Sequence, residues 1–175
     1  MSGNQDVRHW ELPRGMIGKT MKIAVASDHA GFSLKKEILG ALSNVQYQVI
    51  DLGTDGPEPV DYPDFAVAVG KSIRSGQSDR CILICGSGVG ASIAANRMPG
   101  VRAGLCHDTY SAHQGVEHDD MNVLVLGARI IGPQLAMELV KTFLTAKFTG
   151  EERHVRRLEK VKEIETHYCG KKGIL

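Results

Sequence analysis

Several features that mark other classes of protein are scarce or missing in this sequence. In its 175 residues, 21 Lys and Arg nearly balance 20 Asp and Glu, for a formal net charge of +1. That balance offers no strongly basic surface for nucleic acid. No apolar run approaches the roughly 18 residues that span a bilayer, and the N-terminal residues lack the apolar core of a secretory signal. We therefore expect a cytoplasmic protein that binds neither nucleic acid nor membranes.

Cysteine is also scarce, and its spacing argues against two kinds of site. Of the four cysteines, Cys81 and Cys85 lie on one predicted strand, about 13 Å apart at about 3.3 Å per residue. A disulfide requires Cα atoms within about 7 Å, so these two cannot pair. Cys106 and Cys169 suggest no disulfide framework. The sequence has no CxxC or HExxH motif, so we predict no metal site.

What the sequence does have is a repeated alternation of short apolar runs and amphipathic segments. Five alternations in residues 21–148 predict one α/β domain, a three-layer Rossmann-like fold with a five-stranded parallel sheet. The strands are predicted at 22–26, 47–52, 81–85, 101–106 and 122–126. Residues 1–20 lack periodicity and are predicted to form a flexible extension.

Residues 149–175 predict a separate C-terminal helix. Thr149 and Glu152 have the spacing of a capping box at its start. An apolar stripe follows, consisting of Val155, Leu158, Val161 and Ile164. Because five strand–helix units already close the core of the domain, we predict that this stripe packs on a second subunit and makes the protein a homodimer.

Two arginines on the same helix have two possible interpretations. Arg153 and Arg157 are four residues apart and share one helix face. Two guanidinium groups side by side would clamp a phosphate. In the alternative interpretation, they form an exposed basic face that pairs with Glu152 and Glu159.

Cys85 and the loop after it form the most informative feature of the sequence. The apolar run ends at Cys85, and three glycines follow at alternate positions, Gly86, Gly88 and Gly90. Such glycines allow a tight turn whose amides point at a ligand, and the helix start behind them attracts anionic oxygen. A strand-end cysteine can also be an inert packed thiol. The glycine loop argues against that alternative, and we interpret Cys85 as the catalytic centre.

The same loop also satisfies the dinucleotide-binding pattern GxGxxG/A. Residues 86–91 follow a strand and precede a helix, and Asp108 lies close to the expected acidic position. Two observations argue against a nucleotide-binding module. The dinucleotide-binding pattern usually follows the first strand of a domain, whereas here it follows the third. The chain also has no room for the separate substrate domain of a dehydrogenase.

A set of short segments occurs in an order typical of one enzyme family. The segments are SDHAGF at 27–32, DYPD at 61–64, ICGSGVG at 84–90, AANR at 94–97, YSA at 110–112, HDDMNVL at 118–124 and GAR at 127–129. Together with Arg153 and Arg157 they resemble the ribose-5-phosphate isomerase B family, which includes the subunits of galactose-6-phosphate isomerase. The resemblance covers about residues 21–167. It implies an aldose–ketose isomerase that converts a sugar phosphate through a cis-enediolate and uses no metal or cofactor.

The resemblance implies catalytic roles for the polar residues around Cys85. Cys85 would be the base that moves a proton between C2 and C1, because a thiol with an ordinary pKa of about 8.5 can both take and return a proton. The backbone amides of Gly86 to Gly90 would hold the enediolate oxygen. Ser87 and His118 would open the sugar ring.

The resemblance also implies how the substrate would be bound. Asp28 and Tyr62 would contact the sugar. The phosphate would be bound by His29, Arg129, Arg153 and Arg157. The last two arginines would come from the partner subunit, so the homodimer would share its active sites, and the choice between dimer and tetramer stays open. The other histidines, His107, His113, His154 and His167, are interpreted as solvated or structural.

One departure from the family pattern concerns the substrate. Relatives usually have Asn after His118, whereas this chain has Asp119, which lacks the donor hydrogens of an amide and adds negative charge near an anionic sugar. Ribose 5-phosphate, converted to ribulose 5-phosphate, is the predicted substrate. Galactose 6-phosphate, allose 6-phosphate and a tetrose phosphate are the alternatives.

Overall fold

Strands and helices alternate through the part of the chain that the structure, a computed structural model, describes: residues 20–43 and 47–169. The strands there are β1 (Lys22–Ser27), β2 (Gln48–Asp51), β3 (Arg80–Cys85), β4 (Ala103–Leu105) and β5 (Val123–Gly127). The helices are α1 (Phe32–Leu42), α2 (Tyr62–Arg74), α3 (Val89–Ala95), α4 (Thr109–Asp119), α5 (Pro133–Thr145) and α6 (Glu152–Ile164). A 3₁₀ turn, His29–Gly31, precedes α1, and a π-helical turn, Glu165–Cys169, follows α6.

The strands pair in parallel in the order β2-β1-β3-β5-β4. Apart from the short edge strands β2 and β4, they are almost continuously apolar, which is typical of strands that are covered on both faces. The chain runs from β1 outward to β2 and then returns past β1 to β3 on the other side. In open parallel sheets ligands bind at such a reversal, beyond the carboxyl ends of the strands. The groove between the ends of β1 and β3 is therefore the place to look for a site.

Two apolar clusters cover the two faces of the sheet. One set of strand residues, including Ile23, Ile82 and Leu124, packs with α1, α4 and α5. The other set, including Leu83, packs with α2 and α3. Because successive strand residues point to opposite faces, Cys85 lies on the second face with Leu83. The predicted three-layer Rossmann-like α/β fold with a five-stranded parallel sheet is confirmed.

The observed elements differ from the predicted ones at their ends. β4 keeps only three residues of the predicted strand at 101–106, and it pairs with β5 alone at the edge of the sheet. The predicted extension at 1–20 lies outside the described residues except for Thr20. No helix of the described chain is long and apolar enough to cross a membrane.

The capping box predicted at the start of α6 is wrong. The helix begins after Glu151, which has no side-chain hydrogen bond as its N-cap. The chain turns at Gly150, where φ is 66°. The hydroxyl of Thr149 therefore bonds elsewhere, to the carbonyl of Glu117 and the ring of His154.

Candidate active site

Cys85 lies at the carboxyl end of β3, where the groove between β1 and β3 opens. The backbone N–H of Asp28 donates to the carbonyl of Ile84 across 3.2 Å, and Cys85 is in register with Gly127 of β5. Cys85 is 7% exposed, so it is shielded from bulk water but adjacent to the loop that leaves the strand. The thiol therefore lies at the ligand-binding edge of the sheet.

The loop after Cys85 turns tightly into α3. Gly88 has a φ of 81°, in the left-handed region that residues with a Cβ rarely adopt. The N–H of Val89 donates to Ser87 Oγ at 3.3 Å. Gly90 allows a close approach, because a Cβ at this position would lie 2.8 Å from Cζ of Tyr62. The ring of Tyr62 therefore covers the first turn of α3, with its hydroxyl beside the glycine loop.

The turn after β5 places the guanidinium group of Arg129 beside the same loop. The N–H of Ala128 donates to the carbonyl of Cys85, and the N–H of Arg129 to that of Gly86, both at 2.9 Å. A Cβ on Gly86 would lie 3.6 Å from the guanidinium carbon of Arg129. Because Arg129 is also exposed, its guanidinium can neutralise an anionic ligand held by the loop.

Asp28 and His29 follow β1 on the other side of the groove. Asp28 is 5% exposed, and its Oδ1 accepts from the N–H of Gly31 at 3.1 Å, which leaves Oδ2 for a ligand. The Nδ1 of His29 lies 3.1 Å from the backbone nitrogen of Val60 and 3.2 Å from its oxygen. Because the backbone of Val60 engages Nδ1, Nε2 is the His29 nitrogen that can contact a ligand.

These contacts bring most of the residues predicted from the sequence to one edge of the sheet. They are Asp28, His29, Tyr62, Cys85, Gly86, Ser87, Gly88, Gly90 and Arg129. The arrangement offers a thiol, a turn of backbone amides, a carboxylate and a cation to one small ligand. Within the described chain, no group of three or more His, Cys, Asp or Glu residues could hold a metal ion.

Two other buried thiols show how strongly position in this fold affects the pKa of a cysteine. Burial raises the pKa of Cys81 to about 11, although a hydrogen bond from Ser78 opposes the shift. Burial and the nearby Asp108 carboxylate raise the pKa of Cys106 to about 11 as well. Both thiols therefore stay protonated near neutral pH, and neither can act as a base there.

The raised pKa values predict a selective alkylation pattern. At about pH 8 a thiol with a pKa of about 11 is ionised in about one molecule in a thousand. We expect iodoacetamide to label Cys85 under native conditions and to leave Cys81 and Cys106 unmodified, as read by mass spectrometry of the peptides. A chain unfolded in denaturant is the control, since all three should then react. Native labelling of Cys81 at the rate of Cys85 would contradict the prediction.

The structure places four predicted site residues elsewhere. Helices between parallel strands run opposite to the strands, so α4 begins at the carboxyl edge of the sheet and ends at the amino edge. His118 and Asp119 form its last turn, four residues before β5 begins. β3 spans the two edges over about 16 Å, at about 3.3 Å per residue. One chain therefore does not bring His118 next to Ser87.

Arg153 and Arg157 belong to this second group because α6 also starts at the amino edge. Arg80, the first residue of β3, donates from Nη2 to the carbonyl of Ala146 at 2.8 Å, which fixes the chain before α6 at that edge. Arg153 donates from Nε to Glu151 at 2.9 Å, not to Glu152 as in the alternative interpretation of an exposed basic face. Arg157 makes no ion pair within the described residues, so its charge is available to a ligand.

Two histidines interpreted as solvated or structural make specific contacts. The Nε2 of His107 accepts from the N–H of Gly127 at 3.1 Å, which holds the turn that carries Arg129. His154 is 1% exposed, and its ring centroid lies 4.1 Å from that of His118. Because His107 directly follows a predicted strand, the sequence could have indicated that it lies at the carboxyl edge of the sheet. No local pattern indicated that His154 meets His118, because the contact joins two distant helices.

Comparison with known proteins identifies the family of this chain. The ribose/galactose isomerase family matches residues 23–161. The chain belongs to this family. The match includes both the carboxyl-edge residues and the group around His118.

Similar members of the ribose/galactose isomerase family include enzymes with different named substrates. Ribose-5-phosphate isomerase B of Escherichia coli (strain K12) is 45% identical over 144 residues, 82% of this chain and 96% of that protein. D-erythrulose-4-phosphate isomerase of Pectobacterium atrosepticum is 41% identical over 132 residues, 74% of this chain and 86% of that protein. The structure of Clostridium thermocellum ribose-5-phosphate isomerase B has a TM-score of 0.82 at 50% identity, covering 85% of this chain and 99% of that one.

Membership of the ribose/galactose isomerase family shows which class of reaction this chain catalyses. This chain is a sugar-phosphate isomerase, an enzyme of the aldose–ketose type. The membership decides against the dinucleotide-binding alternative, in which the glycines after Cys85 would hold a pyrophosphate.

Proposed function

We propose that this enzyme interconverts ribose 5-phosphate and ribulose 5-phosphate through a cis-enediolate, with Cys85 as the base. The observation that carries the proposal is the position of the Cys85 thiol at the carboxyl edge of β3, flanked by the glycine loop and the Arg129 guanidinium. The names of the ribose-5-phosphate isomerase B relatives from Escherichia coli and Clostridium thermocellum support this choice of substrate.

The chemical step follows from the groups at the carboxyl edge. The thiolate of Cys85 takes the proton from C2 of the open-chain aldose, and the electron pair of the C–H bond forms the enediolate. The same sulfur then returns the proton to C1, as a base must in an isomerisation. The amides of the loop from Gly86 to Gly90 stabilise the enediolate oxygen. Asp28 and Tyr62 hold the sugar hydroxyls.

The phosphate and the sugar ring need groups from a second subunit. His29 and Arg129 bind the phosphate from the same chain as Cys85, whereas Arg153 and Arg157 reach it from the partner subunit. His118 and Asp119 lie at the same edge as those arginines, so we place them in the partner's contribution too. There His118 works with Ser87 of the first chain to open the ring.

The surface of α6 supports a homodimer. Of its apolar stripe, only Leu158 is buried within the chain, at 8% exposure. Val155, Val161 and Ile164 are 37%, 51% and 59% exposed. Single exposed apolar residues are ordinary, but a continuous stripe on one helix is typical of a protein interface. A second copy on this stripe would cover it and complete the active site.

Hydrogen exchange at C2 tests the function and its substrate together. An enzyme with this mechanism should exchange the C2 hydrogen of ribose 5-phosphate with deuterated water and produce ribulose 5-phosphate, as followed by NMR. We expect ribose 5-phosphate to have the highest kcat/KM in a panel that includes erythrose 4-phosphate, allose 6-phosphate and galactose 6-phosphate. Binding without exchange of any sugar would refute the isomerase mechanism. Faster turnover of the tetrose would reassign the substrate and give Asp119 a role in selecting it.

A further inference from the structure

The junction of α4 and α6 determines where one hydrogen lies on His154. The carbonyl of Glu117 accepts from the backbone N–H of Thr149 at 3.1 Å and from its hydroxyl at 3.2 Å. A threonine hydroxyl has one hydrogen to donate, and this bond uses it. The 3.1 Å contact between Thr149 Oγ1 and His154 Nδ1 must therefore have the histidine as donor. His154 is thus held rigidly, with its Nδ1 protonated.

The rigid ring of His154 packs on His118. The two ring centroids are 4.1 Å apart, with an angle of 53° between the ring planes. Because His154 is 1% exposed and tied to Thr149, it restricts rotation of the His118 ring. The plane of His118 is therefore set from one side by α6.

A second contact determines the tautomer of His118. The side-chain nitrogen of Gln114, one turn earlier on α4, lies 2.7 Å from His118 Nδ1. An amide nitrogen can only donate, so Nδ1 must be the acceptor. The hydrogen of the neutral imidazole then lies on Nε2. The Glu117 carboxylate lies 3.8 Å from that nitrogen, and it also lies 3.4 Å from Nε2 of His113.

We propose that Gln114 is a positioning residue of this enzyme, whose side-chain amide keeps His118 in the Nε2–H form required to donate a hydrogen bond to the sugar ring oxygen. The proposal rests on the proposed function, in which His118 opens the ring. In that step the bond between C1 and the ring oxygen breaks, its electron pair goes to the ring oxygen, and the hydrogen bond from His118 Nε2–H stabilises the charge that develops there. The anomeric hydroxyl becomes the carbonyl and gives its proton to Ser87 Oγ, while the Ser87 hydroxyl gives its own proton to the ring oxygen. His118 therefore keeps its hydrogen throughout the step.

The tautomer of His118 can be measured by NMR, independently of any assay of enzyme activity. In imidazole-¹⁵N-labelled protein at about pH 8.5, where an ordinary histidine is neutral, His118 should show a protonated Nε2 and an unprotonated Nδ1. In Gln114→Glu the carboxylate can only accept, so the hydrogen should move to Nδ1. Gln114→Met, which removes the amide at similar volume, should give a mixture of the two forms. A wild-type His118 with the hydrogen on Nδ1 would overturn the proposal.

The kinetic test separates this role from a structural one. With ribose 5-phosphate, we expect Gln114→Glu to lower kcat by about 10- to 100-fold, up to the lower end of the roughly 10²- to 10³-fold loss caused by removing one hydrogen-bond donor to a transition-state oxygen, and Gln114→Met to lower it less. His113→Gln is the matched control. It lies one residue earlier, is exposed and also contacts Glu117, so it should change neither the tautomer nor kcat. Wild-type turnover by Gln114→Glu despite a moved hydrogen would refute the positioning role.

An acyclic substrate shows whether the effect belongs to ring opening. Erythrose 4-phosphate cannot form a furanose ring because its O4 carries the phosphate. Gln114→Glu should therefore slow ribose 5-phosphate turnover more than it slows erythrose 4-phosphate turnover, and equal losses on the two sugars would contradict the assigned step. If the wild-type enzyme isomerises neither sugar, the proposed function fails, whereas the ¹⁵N spectra still decide the tautomer of His118.

Discussion

Replacing Cys85 with Ala is expected to lower kcat by a factor of about 10²–10⁴, the range typical of a general base, with KM changed much less. The reason is that the proposed thiolate moves a proton only in the chemical step, whereas the proposed contacts to the substrate come from other groups such as His29 and Arg129. An interaction made only in the transition state affects kcat rather than substrate binding. Steady-state kinetics with ribose 5-phosphate, together with loss of C2 exchange in deuterated water, would measure the effect.

Cys106→Ala is the matched control for this experiment. It removes another buried thiol, 5% exposed, from the opposite face of the sheet. The substitution should cost about 1 kcal/mol of stability and leave kcat near that of the wild type, because a thiol whose pKa is raised to about 11 is not a base at neutral pH. If Cys85→Ala retained more than a tenth of wild-type kcat, the assignment of the base would be wrong.

Co-expression of two inactive variants is expected to restore activity if the active site is shared. In a hybrid dimer of Cys85→Ala and Arg157→Ala, one site combines both substitutions and the other combines an intact Cys85 with an intact Arg157. Random pairing makes about half of the dimers hybrid, each with one intact site of two, so about a quarter of wild-type activity should return. The assay is kcat/KM of the mixed sample relative to each variant alone, at substrate concentrations below KM.

Arg129 provides the control for the hybrid experiment. Its guanidinium lies beside Gly86 of the same chain, so Cys85→Ala and Arg129→Ala remove parts of the same half-site. A hybrid of these two has no intact site, and its activity should stay at the level of the separate variants. Recovery in both mixtures, or in neither, would contradict the assignment of Arg157 to the partner subunit.

The fold and the loop after Cys85 could be predicted because both depend on local pattern. The apolar runs that end at Ser27 and Cys85 are buried strands, and their alternation with amphipathic segments requires a parallel sheet. The turn after Cys85 requires a positive φ at Gly88, which the residue type itself allows. Boundaries such as those of β4 were less predictable, since pairing at an edge depends on a neighbour far away in sequence.

The division of the candidate site between two edges follows from helix direction. In a parallel sheet α4 must end at the amino edge, so the separation of His118 from Ser87 was already implied by the alternation of elements. The capping box at Thr149 shows the opposite case. Its spacing was correct, but the hydroxyl of Thr149 bonds to the carbonyl of Glu117 and to the ring of His154 instead of capping the helix. Those two bonds depend on how α4 and α6 pack.

The sequence alone determined the class of fold, the strand that ends at Cys85 and the residue types available for proton transfer, because short-range periodicity and glycine placement encode them. Tertiary structure alone decided which of those groups meet. Three contacts each join segments that are far apart in the chain: Tyr62 with Gly90, Arg129 with Gly86, and the tilted rings of His154 and His118. Such contacts depend on the packing of whole elements, which no local pattern specifies.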